Sequence, residues 1–167
     1  KKISSLNKKI TLKKYNSNSS LKSLKGCKII CDALLGSGTV GALREPYLSI
    51  IKYLNKLKSL KVAIDIPTGL NADTGHSEYS FDADLTITLG ELKKGLFFGD
   101  GYVCANEVEK GGIGVPDSLY DKFTPTEFLI EPEDALLGLP IKAKNIHKYS
   151  AGKVLTIAGS GSLPGAA

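Results

Sequence analysis

Two aspartates and a run of small residues carry the chemistry available to this sequence. Asp65 stands in Ile64-Asp65-Ile66-Pro67-Thr68-Gly69, an acid between apolar residues with a turn directly after it. A carboxylate in that place can bind a ribose hydroxyl, hold a cation, or serve as a general base once desolvation raises its pKa. It can equally cap the turn that follows. Asp32 stands inside Ile29-Ile30-Cys31-Asp32-Ala33-Leu34-Leu35, where burial would leave its charge in need of a partner. A monovalent cation held by Asp32, the Thr68 hydroxyl and backbone carbonyls would supply one, since hard cations take oxygen ligands. Backbone hydrogen bonds to a purely structural Asp are the alternative. Between the two acids, Gly36-Ser37-Gly38-Thr39-Val40-Gly41 reads as G-x-G-x-x-G. Such glycines let a backbone approach phosphate, or simply allow a tight turn. Asp65 follows Gly41 by 24 residues, against the ~20 at which a dinucleotide-binding fingerprint places its ribose-binding acid. Lys93 and Lys94, in a turn, could meet phosphate as point charges.

Those residues need strands and a helix to hold them. Lys28 to Leu35 is a short apolar run that predicts a buried strand. Pro46 suits a first helical turn, and Tyr47, Ile50, Ile51, Leu54 and Leu57 recur at helical spacing. Val62 to Ile66 predicts a second strand ended by Pro67, and Asp84 to Leu89 a third. Glu91 to Leu96 reads as a turn with room for one helical winding. Tyr102 to Cys104 and Gly112 to Val115 read as short strand pieces, and Ser118 to Lys122 as a short helix. Nearer the amino end, Ile3, Leu6, Ile10 and Leu12 hint at an amphipathic element, and Asn16 to Ser20 at a loop. Beyond Phe123 the chain is rich in Pro and poor in periodicity until Lys153 to Ala158, a fresh strand that runs into Gly159-Ser160-Gly161. A domain boundary is therefore expected between Pro140 and His147. Strands alternating with a helix imply a parallel α/β sheet with crossover connections, whose ligands sit beyond the strands' carboxyl ends. Asp32, the glycine loop, Asp65 and Lys93 would then face one crevice.

The 167 residues allow one domain, or one and a piece of another; 42% hydrophobic and 23% charged residues are globular proportions. The chain lacks Met, and its last residues fall in a glycine loop, so it is expected to be an interior piece of a longer protein. A net charge of +5 admits nucleic acid, but nine lysines crowd between Lys1 and Lys28 with few aromatics, the pattern of a solvated segment. No nucleic-acid partner is expected. Cys27, Cys31 and Cys104 form no C-x-x-C; Cys27 and Cys31 are expected on one face of the first strand, as buried thiols in a reducing, cytoplasmic compartment. No apolar run reaches the ~20 residues of a membrane span. His76 and His147 have no ligand neighbours at zinc spacing, and no acyl-transfer or P-loop motif occurs.

Taken together, the motifs resemble the NAD(P)H-hydrate epimerase family, the YjeF N-terminal domain. The resemblance rests on Asp32-Ala33-Leu34-Leu35-Gly36-Ser37-Gly38, Arg44-Glu45-Pro46, Asp65 through Gly75, Ala83 through Gly90 with Lys93 and Gly95-Leu96, and Gly112 through Pro116. His147-Lys148-Tyr149 and Gly152 through Ala167 are similar to the opening of an ADP-dependent NAD(P)H-hydrate dehydratase, and this order is that of fused bifunctional repair enzymes.

The resemblance implies a Rossmann-like parallel sheet with crossover helices, the C-terminal part of an epimerase domain over residues 1–140. A linker and the first strand of a ribokinase-like domain would follow over 141–167. It implies interconversion of (R)- and (S)-NAD(P)H-hydrate, coupled in a longer chain to dehydration of the S form with ADP, or ATP in some relatives. Asp32 and Thr68 match potassium ligands. Gly36, Ser37, Gly38, Thr39, Val40, Gly41 and Ala42 match the substrate-binding loop, and Asp65 a substrate-binding carboxylate that we expect to be the acid/base group. Lys93 is carried over as a phosphate or substrate contact. Thr68 stands where members commonly have Ser, and the Asn/Gly-rich loop that completes the family's site is expected upstream, so this chain alone is expected to catalyse neither reaction well. The partner is a small molecule, with a homo-oligomer left open. Two readings compete: a non-catalytic nucleotide-binding or interaction domain, and an NAD(P)-linked oxidoreductase suggested by the glycine loop.

Overall fold

The computed structural model describes residues 10–139, 144–155 and 157–160. The chain divides into two compact units, Lys1–Tyr120 and Asp121–Ala167. The first is built on four parallel strands, β1 (Ile29–Asp32), β2 (Leu60–Ile64), β3 (Leu85–Leu89) and β4 (Glu107–Gly111), lying side by side in chain order. The parallel α/β sheet expected from the alternation is thus present, and its register pairs Asp32 with Ala63, Ile64 with Ile87 and Leu89 with Gly111. Parallel strands in sequence must each be reached by crossing back, so all four carboxyl ends share one rim.

Helix α1 (Tyr47–Leu54) makes the first crossing. Its buried residues Ile50, Ile51 and Leu54 pack with Ile30 of β1, Ala63 of β2, Leu43 and Phe81, each such side chain stabilising by about 1.5–3 kcal/mol. The helix stops at Leu54, one turn before the expected Leu57. Asn55 instead spends its amide on the neighbouring loop, donating to the Ser80 carbonyl (2.8 Å) and accepting from the Asp82 N–H (3.0 Å). A second cluster joins Ile66, Leu70, Ala72, Leu96, Cys104 and Ala105 beneath the following loops.

The β3–β4 region departs from expectation. Tyr102 to Cys104 belongs to a helical turn, α2 (Gly101–Cys104), closed by the Cys104 N–H on the Asp100 carbonyl (2.9 Å). Gly101 lies against the Gly95 carbonyl where no Cβ would fit. The strand is Glu107–Gly111, and Gly112 to Val115 lies outside it. Its charge conceals it: at the sheet's end one side chain, Val108, need pack inward while Glu107 and Glu109 stay exposed. Helix α3 spans Asp117–Tyr120. Near the amino end, a 3-10 helix (Asn18–Leu24) replaces part of the expected Asn16 to Ser20 loop. Ile3 and Leu6 lie outside the described residues, and Ile10 and Leu12 are exposed and in no regular element.

In the second unit, α4 (Pro132–Gly138) begins with Pro132 in its first turn and an Asp134 carboxylate accepting the Glu131 N–H (3.0 Å). The strand expected at Lys153 to Ala158 does not form among its described residues. Val154, Leu155 and Ile157 stay exposed, so no burial offsets the ordering of the chain. Residue 156 and the glycine loop from residue 161 onward lie outside the described residues. No helix among the described residues is long and apolar enough to cross a membrane.

Candidate active site

The rim where β1, β2 and β3 end gathers most of the residues singled out above. Asp32 closes β1 with its side chain turned into the protein, 1% exposed. One carboxylate oxygen, Oδ2, accepts the Thr68 N–H (2.8 Å); Oδ1 accepts the Thr68 hydroxyl (2.8 Å) and the Leu34 N–H (3.2 Å). The Thr68 hydroxyl in turn accepts the Leu35 N–H (3.1 Å) and stands 3.5 Å from the Leu35 carbonyl oxygen. Burial pushes the Asp32 carboxyl above the usual carboxylate range, and the hydrogen bonds from Thr68 and then Leu34 oppose it. Among the described residues no lysine or arginine pairs with this carboxylate. A buried anion with hydrogen bonds but no countercharge, beside a hydroxyl and a carbonyl, is an all-oxygen donor set that fits a hard monovalent cation.

Asp65 follows β2 directly. Its N–H continues the ladder to the Ile87 carbonyl (2.8 Å), but its φ is +73°, in the left-handed region that Asp tolerates better than most residues. That twist swings the side chain along the rim toward the end of β3. Oδ1 accepts the Leu89 N–H (3.1 Å) and the Lys93 ammonium (2.6 Å), while Lys93 also donates to the Leu89 carbonyl (2.6 Å). Both side chains of this pair are about one-fifth exposed, at 20% for Lys93 and 21% for Asp65. The other oxygen, Oδ2, accepts no hydrogen bond among the described residues and faces the glycine loop. A Cβ built on Gly36 would sit 3.9 Å from it.

The loop itself is a turn closed by the Thr39 N–H (3.2 Å) and hydroxyl (3.0 Å) on the Gly36 carbonyl. Ser37, Gly38, Val40, Gly41 and Ala42 are exposed along it. The dinucleotide-fingerprint reading of this loop does not survive. In that motif the glycines open a helix, whose N-terminal N–H groups meet the pyrophosphate. Here Arg44, Glu45 and Pro46 intervene, α1 begins only at Tyr47, and the acid expected on a ribose has one oxygen tied to Lys93. The structure brings Asp32, Thr68, Asp65, Lys93 and the loop to one rim; the sequence did not point to the Leu89 backbone, whose N–H and carbonyl hold both members of the ion pair. Main-chain groups leave no signature in residue types.

Residues 2–95 match the family described as YjeF-related protein N-terminus. The bifunctional NAD(P)H-hydrate repair enzyme Nnr of Methanothermobacter thermautotrophicus is 37% identical over 139 residues, 83% of this chain and 25% of that protein. The NAD(P)H-hydrate epimerase of Elusimicrobium minutum is 40% identical over 110 residues, 65% of this chain and 49% of that protein. A crystal structure of the yeast protein ynu0 covers 64% of this chain and 44% of its own at 27% identity, with a TM-score of 0.49. The chain spans about a quarter of the length of the bifunctional relative. With more than half its length matched and the motifs from Asp32 to Gly95 inside that match, the chain belongs to the family of YjeF-related protein N-termini.

Proposed function

We propose that this chain contributes the substrate rim of an NAD(P)H-hydrate epimerase, in a longer protein that also carries an ADP-dependent (or ATP-dependent) NAD(P)H-hydrate dehydratase. The observation that carries the reading is Asp65 Oδ2, an unengaged carboxylate oxygen at a parallel sheet's carboxyl rim, beside a loop of small residues. Relatives named for that epimerisation and repair, and a family match over residues 2–95 that spans both acids, support it. The glycine loop, Gly36 to Ala42, receives the hydrated nicotinamide nucleotide along its exposed backbone. Asp65 Oδ2 serves as the acid/base group assisting epimerisation at the hydrated carbon, a role that needs the one carboxylate oxygen left free. Asp32, Thr68 and the Leu35 carbonyl would hold a potassium ion, which supplies a fixed positive charge near an anionic nucleotide.

Residues 1–140 belong in this reading to the epimerase part and 141–167 to a linker and the start of the dehydratase. Cys27 and Cys31 are exposed, not buried as expected, because Cys27 precedes β1 and Cys31 lies on its outer face; all three thiols are free, which agrees with a cytoplasmic setting. The test uses the longest natural form of the protein, with hydrated NADPH resolved into its R and S forms by chromatography. Asp65→Asn should slow interconversion by about 10²- to 10⁴-fold. Interconversion at the parental rate would remove Asp65 from the chemistry. Any net oxidation of NADPH would favour the oxidoreductase reading instead.

A further inference from the structure

Lys93 was expected to meet substrate, but its surroundings give it a different task. Its ammonium already donates to two oxygens of its own chain, Asp65 Oδ1 and the Leu89 carbonyl, both at 2.6 Å. Leu89 closes the ring from the other side, its N–H reaching the same Asp65 Oδ1 at 3.1 Å. One oxygen of the carboxylate therefore receives two donors and the other none among the described residues. A carboxylate free to rotate about its last bond would exchange its oxygens; one pinned through Oδ1 cannot. The unpinned Oδ2 is the oxygen that faces Gly36. With both side chains about one-fifth exposed, the pair is screened enough for a short charge-assisted bond to hold geometry, and open enough for a ligand to reach Oδ2.

We infer that Lys93 is a positioning residue: it clamps Asp65 against the end of β3 so that Oδ2 alone addresses the glycine loop. This rests on the reading of Asp65 as the acid/base group, and it assigns Lys93 no contact with the nucleotide. A charge that only attracted substrate phosphate would act mainly on binding. A clamp on the base acts on turnover, because a small misplacement of a reacting group costs about 10²-fold.

The experiment compares Lys93→Met, Lys93→Arg, Asp65→Asn and the double variant Lys93→Met/Asp65→Asn in the longest natural form of the protein, with epimerisation kinetics for each. Lys93→Met should lower kcat by about 10- to 100-fold with KM within about twofold of the parent. Lys93→Arg, which keeps a donor to Oδ1, should recover part of that loss. In the double variant Lys93→Met should add less than about twofold to the loss from Asp65→Asn, as expected of groups acting as a unit. A rise in KM at unchanged kcat, or losses that multiply in the double variant, would make Lys93 a substrate contact and overturn the inference. A crystal structure of Lys93→Met tests the clamp without reference to the reaction. The Asp65 carboxylate should leave the Leu89 N–H; if it keeps its place, the clamp is refuted even where the epimerase reading stands. An unaltered protein that fails to epimerise hydrated NADPH would instead refute the epimerase reading, leaving the crystal structure to judge the clamp.

Discussion

Asp32 is a buried acid whose only compensation among the described residues is three hydrogen bonds, two of them from Thr68. Burial holds its pKa above the unfolded value of about 3.9. The folded state then binds that proton more tightly than the unfolded chain. Its contribution to stability consequently declines as pH rises from about 4 through the raised folded value, and is flat above it. Thr68→Val keeps the backbone N–H and removes the hydroxyl, leaving the ionised Asp32 with one donor fewer and the Leu35 N–H without its acceptor. We expect a loss of about 1–3 kcal/mol at pH 7, measured by urea unfolding, and a loss that shrinks as pH falls and the carboxyl takes up its proton. A loss that does not change with pH would mean that the hydroxyl does not serve the charged form. How much of this site the sequence disclosed follows from the same contacts. Asp32 and Asp65 were legible because each stands among apolar residues at a strand's end, where a charged side chain calls for a reason, whereas Thr68 was named only as an oxygen that could share a cation with Asp32. The bond between Asp65 and Lys93 was not legible, since it spans 28 residues and depends on β3 lying beside β2.

The loop from Asp65 to Gly75 links the two acids' surroundings, and its glycines are not equivalent to those of the loop it faces. Gly69 has φ +101°, and a Cβ there would run into the Tyr79 carbonyl and the Leu43 side chain. Gly38 is under no such constraint: its φ is ordinary and nothing lies within 4 Å of a built Cβ. Gly69→Ala should therefore cost more than about 2 kcal/mol. Gly38→Ala should change stability by no more than about 0.5 kcal/mol and raise KM for the hydrated nucleotide, because the added methyl stands where the backbone meets substrate. Urea titration and steady-state kinetics separate the two; an unstable Gly38→Ala, or one with unaltered KM, would take the loop out of the binding role. The same contrast explains which elements could be read in advance. Helix α1 and strands β1 and β2 bury apolar side chains, so hydrophobicity recorded them; β3, whose buried face is Thr86 and Thr88, was recorded by its β-branched residues. β4 carries Glu107, Glu109 and Lys110 at the end of the sheet, where a single inward Val108 suffices, and so many charges hide its strand character. Tyr102 and Val103 misled in the opposite direction, being apolar and exposed on a helical turn set by Asp100 and by the close approach of Gly101 to Gly95.

At the scale of the whole molecule, the two faces of the sheet are treated differently. One carries Ile30, Asp32, Ala63 and Thr86 into the packed interior. The register puts Ile29 beside Leu60, Cys31 beside Val62 and Ile64 beside Ile87 on the other face. Val62 is buried there, but at the strands' starts Ile29 is 57% and Leu60 50% exposed, directly across from each other on β1 and β2. β1 is also a sheet edge, with one row of backbone groups unpaired by any strand among the described residues. An apolar patch next to an open edge favours association with a second copy. The net charge of +5 opposes it at long range. Salt screens the repulsion and leaves the apolar contact in place, so the 167-residue chain should sediment as a monomer at low ionic strength and as a growing fraction of dimer or larger species as sodium chloride rises. Ile29→Lys with Leu60→Lys puts two charges on the patch without touching the interior face, and should hold the chain monomeric across the same range. Dimer that dissolves with salt would mean an interface held by charge, and dimer that persists in the double variant would place the contact elsewhere on the surface.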